Sequence, residues 1–114
     1  MPRVLYPNNI LQGRNYILTK IIMALQVIPK VEESRIYEVV DEAIKVIAAS
    51  GVPYEVGPME TTMEGDPDQL WAIIKEAQEA CIRAGASRAM ANIKMDYVPT
   101  GSTIGEKIDK YRNR

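Results

Sequence analysis

Any chemistry in this chain is done without histidine and with one cysteine, because its 114 residues include none of the first and only Cys81 of the second. That excludes the usual zinc ligand sets and the Ser-His and Cys-His nucleophile pairs. A single cysteine forms no internal disulfide. What remains are carboxylates, lysines, hydroxyls and amides, and the informative ones stand two apart in short apolar runs. Thr62 and Glu64 form one such pair, Asn92 and Lys94 another, and Gln26 lies in a third run. Alternate residues of a strand share a face, so each pair projects together. A carboxylate beside a hydroxyl and an amide suits the polar edge of a small flat molecule, with apolar neighbours against its ring. Glu64 is the first choice of acceptor, with Thr62 and Asn92 as neutral partners. This is binding chemistry: a side chain that titrates near neutrality is missing, so no catalytic residue, metal ligand or cofactor is assigned.

Each of these residues also has a purely structural use. Thr61 and Thr62 are β-branched and suit a strand. Glu64-Gly65-Asp66 reads as a strand exit and a helix cap. Glu64 and Lys94 on neighbouring strands would form an ion pair. Cys81 reads as a small core residue, Trp71 as a core or interface anchor, and Met59, Met63, Met90 and Met95 as packing.

The elements that position them follow from punctuation and period. Ala24–Pro29 reads as a strand ended by a proline. Ser34 caps a helix running to Ser50, with Gly51 as its stop and Ile36, Val40, Ala43, Ile44 and Ile47 as its apolar stripe. Val52–Val56 and Met59–Glu64 read as a hairpin about Gly57-Pro58. Asp66-Pro67 with Gln69 opens a second helix that buries Leu70, Ile73, Ile74, Ala77 and Cys81 and ends at Gly85. Ser87–Tyr97 is the fourth strand. After the Val98–Gly101 loop, Thr103 and Glu106 form a capping box for a short last helix carrying Ile104, Ile108 and Tyr111.

This order is β-α-β-β-α-β plus a terminal helix, the α+β, ferredoxin-like arrangement of two helices on one face of a four-stranded antiparallel sheet. Leu25, Val27, Met63, Ile93 and Met95 are expected to face the helices. Gln26, Ile28, Thr62, Glu64, Asn92 and Lys94 are expected on the open face, which is too apolar for water and too polar for core. A second copy of the chain would cover such a face, leaving a pocket where coverage is incomplete.

Residues 23–114 are read as one domain. Residues 1–22 are read as an extension, either extra to the native product or a backward continuation of the first strand, since Ile17, Thr19, Ile21, Met23, Leu25 and Val27 alternate. Acids and bases are interspersed and the net charge is −1, which gives no nucleic-acid footprint. Tyr16–Ile28 is too short and too polar to span a bilayer, and no secretory signal is evident. A reducing, cytoplasmic setting fits the cysteine usage.

Several stretches carry a family resemblance. They are Val27-Ile28-Pro29, Ser50-Gly51 with Tyr54-Glu55, Pro58-Met59 with Thr61 and Glu64-Gly65, Gly85 before Arg88, and Ile93-Lys94. Over 23–112 the chain resembles the YkoF-related family of small thiamine-binding, ferredoxin-like proteins. The resemblance implies a homo-oligomer, dimer or tetramer, joined through its sheets. It also implies a ligand that is thiamine or its hydroxymethylpyrimidine part. Glu60 stands where the family often has glycine, and Val98–Gly101 replaces a more basic stretch. Two alternatives remain: a structural or regulatory self-associating module without a small ligand, and a cofactor-free enzyme on a dimeric scaffold.

Overall fold

The computed structural model describes residues 19–112. The expectation for an extension therefore falls, over residues 1–18, outside the described residues. The alternating run forms β1 (Ile21–Pro29), which starts ahead of Ala24 as the upstream alternation indicated. A single 3-10 turn at Glu33–Arg35 takes up Ser34, so α1 begins later than its cap signal suggested and spans Ile36–Ala49. Then follow β2 (Tyr54–Val56), β3 (Thr61–Gly65), α2 (Pro67–Arg83), β4 (Ala89–Asp96) and α3 (Ile104–Arg112). The sheet is antiparallel in the order β2-β3-β1-β4, with β1 in the interior and β4 at one edge. This is the ferredoxin-like fold.

Two helix starts follow their sequence signals. The Asp66 carboxylate accepts from Gln69 N–H at 3.1 Å with Pro67 at the first helical position. The Thr103 hydroxyl accepts from Glu106 N–H, also at 3.1 Å. Both satisfy amides that a helix start leaves without partners. The α2 stripe is as read, with Leu70, Ile73, Ile74, Ala77 and Cys81 all buried. The α1 stripe is rotated: Val39, Ala43 and Ile47, four apart, are buried, whereas Ile36, Val40 and Ile44 are half-buried on its flank. Both stripes meet Ile21, Met23, Leu25 and Met63 in one core. Cys81 lies inside it, its thiol donating to the Val39 carbonyl at 3.9 Å, and burial pushes its pKa up. The thiol therefore stays protonated and unreactive, in keeping with a packing role.

Beyond α2 the chain turns at Gly85 with φ +110°, which a Cβ opposes. Arg35 closes over this turn, donating through Nη2 to the Ala84 carbonyl at 2.8 Å. Its Nη1 lies 2.9 Å from where a Cβ on Gly85 would sit. Gly85→Ala is expected to cost about 1–2 kcal/mol, mostly as backbone strain, because the Arg35 tip can swing away. Urea unfolding should show a lower midpoint at unchanged slope; an unchanged midpoint would show that the turn relaxes without strain.

Candidate functional site

Directly paired residues of neighbouring strands share a sheet face. On the face away from α1 and α2, the register sets Glu64, Ile22 and Asp96 in one row and Glu55, Thr62, Ala24 and Lys94 in the next. Gln26 beside Asn92, then Ile28 beside Met90, continue the series. All five candidate residues thus share one face, as alternation predicts. Met63, Leu25 and Val27 lie on the helix side and pack in or against the core. Ile93 and Met95 also lie on the helix side, paired with Leu25 and Met23, yet are 37% and 42% exposed because β4 is an edge strand. Trp71 is 46% exposed on α2 and so is no core anchor.

The second face is not left open along its length. Helix α3 returns across one end of it, and Ile104 is buried there along with Ile22 and Ala24. Glu64 fixes the return: its side chain is buried, and Oε1 accepts from Ile104 N–H at 2.8 Å. A charged acceptor at a helix N-terminus is favourable both as a hydrogen bond and against the helix dipole. The carboxylate first chosen for a ligand therefore holds a structural element in place. The Glu64–Lys94 ion pair does not form; Lys94 Nζ instead meets the Glu60 carboxylate at 3.1 Å.

Between α3 and the sheet lies a cleft of about 280 Å³. Ile22 and Ala24 form its floor and Ile104 and Ile108 one wall, with Thr62, Lys94, Glu55, Glu60, Asp96 and Lys107 around them. An apolar floor with a few convergent polar groups, near the small end of the usual ligand-site range of roughly 300–1,000 Å³, accommodates one small flat molecule. Of the five candidates, Thr62 and Lys94 line this cleft and Glu64 anchors its wall. Gln26 and Asn92 lie one row further on, where Asn92 Nδ2 donates to Gln26 Oε1 at 3.1 Å. That pairing leaves a donor on Gln26 and an acceptor on Asn92 for another partner. Residues 98–101 do not line the cleft; the loop delivers α3, with Gly101 at φ +97° and Ser102 N–H bonded to the Lys20 carbonyl.

The charges around the cleft are paired with one another. Asp96 meets Lys107 at 2.5 Å and Glu55 meets Arg112, so α3 is tied to both edge strands. These pairs are 43% to 49% exposed on each side chain, and such pairs contribute at most about 1 kcal/mol each. A larger groove of about 450 Å³ runs between α1 and α2. Its charges pair along the helices themselves, Arg35 with Glu38 and Lys45 with Glu42. Those pairings hold the Arg35 and Lys45 pKa values up and that of Glu38 down. That groove presents no convergent set for a ligand. Among the described residues no group of three or more acidic or cysteine side chains is placed to hold a metal ion, and no helix is long and apolar enough to cross a membrane.

Comparison with known proteins agrees with this geometry. The profile of the thiamine-binding protein family matches residues 23–112. A UPF0045 protein of Clostridium perfringens is 53% identical over 90 residues, 79% of this chain and 95% of that protein. Among solved structures, a domain of unknown function from Bacillus cereus superposes with TM-score 0.80 at 47% identity, covering 84% of this chain and 93% of its own. A Thermotoga maritima protein proposed for thiamine biosynthesis or salvage superposes with TM-score 0.76 at 39% identity, covering 82% and 99%.

Proposed function

Since the chain belongs to the thiamine-binding protein family, we propose that it binds thiamine or its hydroxymethylpyrimidine part in the cleft beneath α3, as a cytoplasmic homo-oligomer that carries out no reaction. The observation that carries this reading is the cleft itself: a small apolar floor at Ala24 and Ile22, an apolar wall on α3, and polar groups converging above them. An aminopyrimidine is a flat disc with an amine donor and ring-nitrogen acceptors on its edge. The disc suits the slot between Ala24 and Ile108, and its edge suits the Thr62 hydroxyl and the Glu60–Lys94 pair. The thiazolium cation of intact thiamine suits Asp96, Glu55 or Glu60. In this reading Gln26 and Asn92 lie beyond the cleft mouth, where Ile28 and Met90 stay 40% and 46% exposed, and this end of the sheet face meets another copy of the chain. The absence of histidine supports binding over catalysis.

The test is calorimetric titration of thiamine and of hydroxymethylpyrimidine into the wild-type protein and an Ala24→Leu variant. The added side chain occupies the cleft floor on the face opposite the main core. Micromolar binding by the wild type, weakened at least about tenfold in the variant, is expected. Binding of neither ligand by the wild type would sink the assignment and leave a self-associating module as the better reading.

A further inference from the structure

The geometry points to α3 as a hinged strap whose latch cations, Lys107 and Arg112, occupy the carboxylates that a cationic ligand would use, so that latching the strap and filling the cleft compete. The inference rests on the reading of the cleft as a ligand site. It begins with how unevenly α3 is held. At its N-terminal end Ser102 and Ile104 are buried, Ser102 N–H bonds the Lys20 carbonyl, and Ile104 N–H bonds the buried Glu64. Past Gly105, every residue to Arg112 is exposed except the half-buried Ile108. What fastens this outer part to the sheet is Lys107 on Asp96 and Arg112 on Glu55.

The helix has little stability of its own. It has nine residues and a glycine at its second position, and helices this short are marginal in water without packing. Its attachment therefore depends on one buried end and two solvent-exposed ion pairs, which ionic strength weakens. The partners of the latch matter as much as its weakness. Asp96 and Glu55 both border the cleft, on opposite edge strands, and both are engaged by cations of α3. A cation entering beneath the strap meets carboxylates already neutralised and has to displace Lys107 or Arg112 to pair with them.

The experiment is hydrogen exchange by mass spectrometry on the whole protein, wild type beside Lys107→Gln/Arg112→Gln, at low and high salt, with thiamine titrated into both. At low salt, exchange over residues 106–112 is expected to be several-fold faster in the double variant. High salt is expected to reproduce that rate in the wild type and leave the variant unmoved, with β1 and β3 amides unaffected. Equal exchange in the two proteins overturns the strap. The variant is expected to bind thiamine at least about threefold more tightly than the wild type; equal or weaker binding overturns the competition. If neither protein binds thiamine but their exchange differs, the ligand reading and the competition fall together, whereas the latch stands.

Discussion

Met63→Ala is expected to destabilise the protein by about 2–4 kcal/mol and to leave ligand affinity unchanged. Met63 is fully buried and stands in the middle of the sheet, paired with Met23 on one side and Tyr54 on the other. Its side chain points into the α1–α2 core, so truncation leaves a cavity among neighbours that already pack closely. Its immediate neighbours in sequence, Thr62 and Glu64, point the other way, toward the cleft and α3. Urea unfolding measures the first effect and calorimetry on the folded variant the second. A folded Met63→Ala protein that no longer binds would place the ligand on the helix side of the sheet, against the proposed site.

Glu64→Ala is expected to cost about 1–3 kcal/mol and to weaken binding as well. The loss leaves the Ile104 amide without its partner at a buried helix start and releases the wall that Ile104 and Ile108 give the cleft. Glu64→Gln keeps an acceptor oxygen at the same reach and should recover most of the stability, because the hydrogen bond survives and only the charge is lost. If alanine and glutamine lower binding equally while differing in stability, the Glu64 charge itself acts on the ligand. If binding follows stability across the two variants, Glu64 acts through α3. The same comparison separates the two uses of this residue that its sequence position leaves mixed.

Much of the fold was legible because its signals are local. Asp66-Pro67 with Gln69, Thr103 with Glu106, and the stripe Leu70–Ile73–Ile74–Ala77–Cys81 each declare a helix within a few residues. Strand alternation put all five candidate residues on one face, and the register agrees. The return of α3 was not legible. Nothing near Ile104 says which of two sheet faces a short amphipathic helix will cover; that depends on a hydrogen bond to Glu64, far away in the chain. The same ignorance mispaired Lys94, whose partner Glu60 lies in the bend before β3 and not on a strand. The rotation of the α1 stripe to Val39–Ala43–Ile47 was hidden for a related reason. Ile36, Val40 and Ile44 are equally apolar, and the groove they line beside the β2–β3 turn absorbs them.

The strand order sets a schedule for how this chain comes together. β1 is the first element of the sheet to be synthesised, yet it lies between β3 and β4, and its longest pairing, from Ile22 with Asp96 to Pro29 with Ala89, is with the last strand. The apolar run of Ile21, Ile22, Met23 and Leu25 is therefore made early and must wait for nearly the whole domain before both its edges are closed. Such non-local pairing slows folding and prolongs the exposure of an unpaired strand. During translation the nascent chain thus carries its stickiest segment at the front, and the time it remains unprotected is governed by the arrival of β4 and not by any local event.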